Sequence, residues 1–251
     1  MLAERRGREY NIEPIGFLPM IVLALDTTGR AGSVALVRDH QVLAEASGDP
    51  AITHAARLPG ELIDLLAQAG LSLAAVDLLA VAAGPGSFTG LRVGIAAMQG
   101  LAMALGKTIV PVSTLEALAR VVPATPGELI APWVDAQRGE VFASLYETGE
   151  SSPVLEPTAL PPEETVTRIA TFAAGRRVRF LGDGAARYAH RIRLAMASEA
   201  EVAETVPRLA GAIGLIAAAA PQRAVAPHAV APLYVRRPDV ELTRERRARP
   251  A

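Results

Sequence analysis

The chain contains no cysteine, so disulfides, thiolate metal sites and a cysteine nucleophile are excluded, and thiol usage leaves the redox compartment open. Histidine is nearly as scarce. His40, His54, His190 and His228 are the whole supply, and no two stand close enough in sequence to read as a paired metal motif. An excess of either charge is missing as well: 25 basic residues balance 26 acidic ones, so no global positive field draws in nucleic acid. Any contact with RNA has to be local or made through a partner. No uninterrupted apolar run reaches the roughly 18 residues of a membrane span; Ile213 to Ala220 is too short and is closed by Pro221. What the chain does have is aliphatic bulk, 51% hydrophobic residues over 251 positions, enough for one large domain or two lobes.

The densest local signal is Ala82-Ala83-Gly84-Pro85-Gly86-Ser87-Phe88-Thr89-Gly90-Leu91-Arg92-Val93-Gly94. It follows an apolar run, Leu78 to Val81, that predicts a buried strand, and it opens an apolar run that predicts a helix. Glycines at a strand-to-helix turn serve either phosphate binding or close backbone packing. Ser87 or Thr89 is placed to cap the helix that follows.

Two similar openings organise the rest. The strand Ile21 to Asp26 is followed by Thr27-Thr28-Gly29-Arg30-Ala31-Gly32, a strand from Ser33 to Val37, a turn at Arg38-Asp39-His40 and a strand from Gln41 to Ala46. Ile130 to Asp135 is followed by Ala136-Gln137-Arg138-Gly139, then Val141 to Tyr146, a turn at Gly149 and Val154-Leu155-Glu156. Apolar strand, terminal Asp, polar turn with Gly and apolar strand recur in the same order, with helical patterns after each. The expectation is a duplicated α/β lobe. Met1 to Pro19 mixes charges with Pro14, Gly16 and Pro19, lacks a signal-peptide pattern and is expected to be a poorly ordered extension. Met20 then stands as an alternative start, which mass spectrometry of the native N-terminus tests.

Leu58, Leu62, Leu65, Leu66 and Ala69 fall at helical spacing and predict a sheet-covering helix over 58–69, at Pro59, that stops at Gly70. The predicted helix Leu91 to Leu105 is apolar around nearly its whole circumference, so it must be buried on more than one side, either inside the monomer or partly against another protein. Gly90, Gly94 and Gly100 add small surfaces along it that permit close approach. Leu209 to Ala220 predicts an alanine-rich helix packed between lobes. Thr243 to Arg249 reads as a charged, solvated tail that could touch RNA or another protein.

Several chemical motifs fail on context. Gly106-Lys107-Thr108 leaves a helix and enters the strand Ile109 to Val112, the reverse of a P-loop, and Gly84-Pro85-Gly86 is not a dinucleotide fingerprint. No Gly-x-Ser-x-Gly elbow surrounds Ser87 and no histidine lies near it as a base. Asp26 and Asp135, each ending a first strand, could hold magnesium beside a nucleotide in a cleft between lobes, or simply form turns. Glu116 stands behind Ser113 in the capping-box pattern Ser-x-x-Glu, a role sufficient for it.

Ile21-Val22-Leu23-Ala24-Leu25-Asp26-Thr27-Thr28, Gly84 to Gly94, Val110-Pro111-Val112-Ser113-Thr114-Leu115-Glu116-Ala117-Leu118 and Val134-Asp135-Ala136-Gln137-Arg138-Gly139-Glu140-Val141 together resemble the bacterial TsaB (YeaZ) family. The likeness runs from Met20 to about Arg237 and includes Gly182-Asp183-Gly184-Ala185 and Pro232-Leu233-Tyr234-Val235-Arg236. It implies an actin-like, sugar-kinase-like (ASKHA) α/β fold of two duplicated lobes, mixed sheets flanked by helices, in a cytoplasmic subunit of the machinery that makes threonylcarbamoyladenosine (t6A) in tRNA. In that family the transfer chemistry belongs to the related TsaD subunit, with TsaE assisting and TsaC supplying threonylcarbamoyl-AMP. TsaD proteins carry a His-x-x-x-His metal pair where this chain has Thr114 and Leu118, and neither side chain replaces an imidazole on a transition metal.

The resemblance therefore implies a noncatalytic subunit without metal or cofactor that binds TsaD, contacts TsaE, pairs with itself when TsaD is absent, touches tRNA only indirectly and has no membrane role. Expected partner contacts are Leu62, Leu66, Gly94, Met98 and Met103; Asp26, Gly84, Gly86, Ser87 and Asp135 would form a vestigial nucleotide cleft. Expected divisions are an extension at 1–19, a first lobe at 20–122, a second at 123–222 and a C-terminal segment with its tail at 223–251. A small nucleotide-dependent phosphotransferase or hydrolase of the same fold and a homodimeric regulatory module are the alternatives.

Overall fold

The structure is a computed structural model that describes residues 19–123 and 125–235; the expected N-terminal extension up to residue 18 and the charged tail from residue 236 lie outside the described residues. The first lobe runs β1 (Ile21–Asp26), β2 (Ser33–Arg38), β3 (Gln41–Ser47), α1 (His54–Gln68), β4 (Leu78–Gly84), α2 (Phe88–Leu105), β5 (Ile109–Ser113) and α3 (Thr114–Ala119). The second runs β6 (Leu129–Asp135), β7 (Val141–Glu147), β8 (Pro153–Leu160), α4 (Pro162–Ala173), β9 (Val178–Leu181), α5 (Asp183–Arg187), α6 (Ala189–Met196), β10 (Ala200–Val202) and α7 (Ala210–Ala219).

The two sheets have the same plan. Sheet one is ordered β3-β2-β1-β4-β5 and sheet two, read from the matching edge, β8-β7-β6-β9-β10. In each, the meander pairs antiparallel and the two later strands add in parallel beside the first. Every residue of β1 is buried, as a central strand covered on both faces requires, and its apolar run shows no alternation. Two mixed sheets of matching order flanked by helices give the duplicated α/β architecture that was expected.

The lobes exchange their last helices. α3 packs chiefly on β6 of the second sheet, and α7, which chain order assigns to the second lobe, packs on β1 and β2 of the first. Val22, Ala24 and Val37 thereby share one core with Leu115, Leu118, Ile130, Val134 and Ile213. Gly214 of α7 lies so close to Val37 that a Cβ would come within 2.6 Å of its methyl, which explains a glycine in the middle of this helix. A separate core lies beneath α1 and α2, and a third beneath α4, α5 and α6.

Two local expectations are corrected. α1 begins at His54, earlier than the predicted start, with Pro59 inside it. Its first turn is held from outside by Arg57, whose guanidinium donates to the Ala31 and Ile52 carbonyls and pairs with Glu61. A Cβ on Gly48 would overlap that guanidinium. Glu116 forms only half a capping box. Its N–H donates to Ser113 Oγ at 3.4 Å, but its carboxylate receives two bonds from Arg223, at 2.9 and 3.0 Å. The pairing raises the Arg223 guanidinium's pKa above its usual value and ties α3 to the turn after α7.

α2 ends in Gly106, at φ +66°, the left-handed C-cap that glycine adopts without a Cβ penalty. By length and composition α2 could cross a membrane, although Arg92 and Gln99 interrupt its apolar run. Ile95, Met98 and Ala102 instead face the core of the first lobe, and Leu91 is buried against Gly84.

Candidate functional site

In both lobes a glycine loop presses on the end of the first strand. A Cβ on Gly86 would sit 2.6 Å from Thr28 Cβ, and on Gly90 or Gly94 it would fall under 3.0 Å from the Thr27 carbonyl or hydroxyl oxygen. Thr27 Oγ1 donates to the Gly90 carbonyl at 2.8 Å, and Ser87 Oγ accepts from the Gly90 N–H at 3.2 Å. Gly84, at φ +114°, has the Leu233 carbonyl 2.9 Å from the position of a Cβ. In the second lobe Gly182 and Gly184 lie equally close to the backbone of Trp133 and Val134. The loop is built for close backbone packing.

Its outer side is covered by the chain's return. Val225 bridges to Ile109, Gln99 Nε2 on α2 donates to the Pro227 and Val230 carbonyls at 2.9 and 3.1 Å, and Leu233 N–H donates to Ala83 O at 2.7 Å. Tyr234 then meets Phe88, ring centroids 5.9 Å apart, and Arg92 lies 3.9 Å over the Phe88 ring. Nothing in the sequence of 225–235 signals this strap, because its bonds are mostly backbone bonds.

Between the lobes lies an open cleft of 1090 Å³ lined by the turns after β1 and β6, the loop before α1, the glycine loop and the strap. His54 lines it. Because Arg57 can only donate, His54 Nδ1 accepts from it, and Nε2–H therefore donates to the Gly29 carbonyl at 3.0 Å.

Both carboxylates expected here are engaged in turns. Asp26 Oδ1 accepts from Thr28 N–H at 2.8 Å and Thr28 Oγ1 at 2.6 Å. Asp135 repeats the motif, accepting from Gln137 N–H at 2.9 Å, and also pairs with Arg187. That pairing raises the Arg187 guanidinium's pKa. Asp183 accepts from the N–H groups of Asp135 and Gly184 at 3.0 and 2.8 Å. A magnesium nucleotide, which the expected fold class suggests, finds a poor donor set here: Asp135 is paired with Arg187, Asp26 and Asp183 each commit Oδ1 to a turn or a helix start, and the glycine-loop backbone is packed against Thr27, Thr28 and Leu233. Asp26, Gly84, Gly86, Ser87 and Asp135 do come together around the cleft, as turn-forming and packing residues. Arg187, four residues beyond Asp183, joins them without any signal in the sequence.

Thr114 and Leu118 are buried between the lobes, and among the described residues no group of three or more His, Asp or Glu side chains could hold a metal ion.

Burial raises the Asp26 carboxyl above its ordinary value of 3.8, while the Thr28 bonds pull it back. The folded state thus holds this proton more tightly than the unfolded chain, so the stability Asp26 contributes is fully present below its unfolded pKa and is lost as pH rises through the folded one. Asp26→Asn keeps an acceptor for Thr28 and removes the buried charge. Its melting temperature is expected to equal or exceed that of the parent at pH 7, with the difference shrinking toward about pH 4. A lower melting temperature for the variant at pH 7 overturns this.

A second feature lies on the outside of the first lobe. Size decides the phase of α2: Leu91, Ile95 and Met98 point inward, leaving Phe88, Arg92, Ala96, Gly100, Met103 and Ala104 on the exposed side. Beside it α1 exposes Pro59, Gly60, Ile63 and Ala67. Met103 is 72% and Ile63 61% exposed. Gly60 and Gly100 are exposed in helices, and a Cβ on either would find no atom within 4 Å beyond its own helix backbone and chain neighbours. Of the expected contact residues only Met103 is fully on this face. Leu62 is half-buried. Leu66 and Met98 are 3% and 0% exposed in the core and Gly94 is packed on Thr27, so Leu66, Met98 and Gly94 are corrected to internal positions.

The YeaZ structure from Pseudomonas aeruginosa matches with a TM-score of 0.70 at 32% identity, covering 86% of this chain and 99% of that one. The chain belongs to the TsaB (YeaZ) family. A second P. aeruginosa structure, described as an uncharacterized protein with similarity to peptidase YEAZ, matches at TM-score 0.71 and 31% identity, covering 86% of this chain and 100% of that one. The family model "TsaD: tRNA N6-adenosine threonylcarbamoyltransferase" matches residues 49–249. The tRNA threonylcarbamoyladenosine biosynthesis protein TsaB of Escherichia coli is 38% identical over 133 residues, 53% of this chain and 57% of that protein. Its Bacillus subtilis namesake is 36% identical over 128 residues, 51% and 56% of the two chains. The aligned stretch thus spans just over half the length of these curated relatives.

Proposed function

We propose that this TsaB-family chain is a noncatalytic subunit of the bacterial t6A machinery that binds and supports the TsaD transferase through the open face of α1 and α2. The names of the relatives and the TsaD-like family match support the pathway. The observation that carries the docking face is Gly100. A glycine in a helix interior costs about 1 kcal/mol against alanine, and this one packs on nothing within its own chain. Its use is to let another backbone approach, as small residues do at close helix crossings, with Ala96 and Ala104 one turn to either side.

The engaged state of Asp26, Asp135 and Asp183 favours this scaffold reading over a magnesium-dependent phosphotransferase or hydrolase. On this reading the chain works in the cytoplasm, meets TsaE within the assembly, reaches tRNA through its partners and uses the same face to pair with itself when TsaD is absent. The test is to co-purify the chain with TsaD from the same organism and to measure threonylcarbamoyl transfer with and without it. Transfer that depends on the chain is expected; transfer unchanged by its omission defeats the reading.

A further inference from the structure

The strap over the glycine loop delivers the chain into the interlobe cleft. Leu233 is held by its N–H on Ala83 and its carbonyl lies against Gly84, Tyr234 rests on Phe88, and Val235 lines the cleft while packing against the core that the two lobes share. Residues 236–251 follow from that point. Those from 236 to 242 read Arg-Arg-Pro-Asp-Val-Glu-Leu, a basic pair and then acidic and apolar residues in alternation.

The cleft has the size and the lining for such a segment. At 1090 Å³ and open to solvent, it exceeds the range of about 300–1,000 Å³ of small-molecule pockets. Ile52, from the loop before α1, and Phe88 line it at 48% and 47% exposure, apolar area that no described residue covers. Two charged groups in it are underused. Arg30, in the turn after β1, makes no hydrogen bond or ion pair with any described residue; Asp183, on the second lobe, accepts its two backbone N–H groups through Oδ1 alone.

We propose that residues 236–242 occupy the cleft of their own chain. Val240 and Leu242 lie against Ile52 and Phe88, Asp239 and Glu241 face Arg30, and the pair Arg236 and Arg237 faces Asp183. Alternation puts the acidic and apolar side chains on opposite sides of an extended segment, and Leu242 reaches at most about 25 Å from Val235. Each contact alone is weak. Tethering at Val235 supplies an effective concentration of roughly millimolar, so contacts that would not hold a free peptide hold this one. The segment thereby bridges the lobes, in addition to the exchange of α3 and α7, and covers the apolar rim. It involves neither Gly100 nor Met103, so it stands apart from the α1–α2 docking face.

The lack of native cysteine allows a direct test in the full chain. Ile52→Cys combined with Leu242→Cys is treated in dilute solution with oxidised glutathione, and formation of the disulfide within one chain is followed on non-reducing gels and by mass spectrometry. Leu194→Cys with Leu242→Cys is the reference pair, because Leu194 is 79% exposed on α6 and lies outside the cleft lining. The first pair is expected to close about tenfold or more faster than the reference. Arg30→Glu is expected to slow closure about threefold, and Asp239→Arg with Glu241→Arg in the same chain to restore it. Equal closure of the two pairs, a rate indifferent to Arg30→Glu, or disulfides between chains instead of within one overturns the assignment; the last result makes a second copy the occupant of the cleft. Because the measurement contains no TsaD, none of these results bears on partner docking.

Discussion

Gly90→Ala is expected to be the most destabilising single methyl that can be added to this protein's glycine loop. The new carbon would lie under 3.0 Å from the carbonyl oxygen of Thr27, a backbone atom at the end of β1, where no flexible side chain can swing away. Neither side can retreat cheaply. β1 is clamped between β2 and β4, and α2 is seated on the core by Leu91, Ile95 and Met98. The Thr27 hydroxyl that donates to the Gly90 carbonyl would be displaced by the same shift. Overpacking costs about 1–3 kcal/mol when side chains can adjust, and a clash with backbone belongs at or beyond the upper end. For a chain of this size each kcal/mol moves the melting temperature by about 2–4 °C, so a fall of about 10 °C, or failure to fold, is expected. Gly60→Ala provides the contrast. That glycine has open space around it, and the substitution is expected to leave the melting temperature unchanged or raise it by a few degrees. Calorimetric or circular dichroism melts decide the matter, and a Gly90→Ala protein as stable as its parent would show that the loop does not pack as described.

How far this architecture was legible depends on the range of the interactions involved. The strands of both meanders could be read from the sequence because an apolar run ending in Asp and a glycine-bearing turn is a local pattern, and it occurs twice. The start of α1 was not legible. Pro59 looks like a helix start, and what keeps the earlier turn helical is Arg57 reaching carbonyls of other loops. The exchange of α3 and α7 between lobes was hidden for the same reason, as was the partner of Glu116, which lies 107 residues away in sequence. Within the cleft, the two Asp turns were visible from their matching positions. Arg187, which occupies the Asp135 carboxylate, was not, because only the fold brings α5 to the end of β6. α2 presents a different difficulty. A helix apolar on every side has no readable phase, and the large residues that look like contacts, Met98 among them, are the ones the core selects; the informative residue for the outer face was the small one, Gly100.

That residue allows docking to be separated from folding. Gly100→Arg adds a long charged side chain at an exposed position whose Cβ would meet no atom within 4 Å beyond its own helix backbone and chain neighbours, so the monomer has room for it, and replacing a helix-interior glycine by arginine favours the helix by up to about 1 kcal/mol. The free chain is therefore expected to melt at the same temperature as the parent or slightly above it. The complex should respond in the opposite way. If TsaD, or a second copy of this chain, brings its backbone against Ala96, Gly100 and Ala104, the arginine holds the two surfaces apart and leaves a charge to be desolvated, a change of about 2–4 kcal/mol at the centre of an interface. Binding measured by calorimetry or co-purification is expected to weaken by roughly 100-fold, and t6A formation in the reconstituted system should fall with it, while Gly100→Ala keeps most of both. A stable Gly100→Arg protein that still binds TsaD and supports transfer at the parent level would move the interface off α2 altogether, since no rearrangement of this side chain leaves room for a helix packed over position 100.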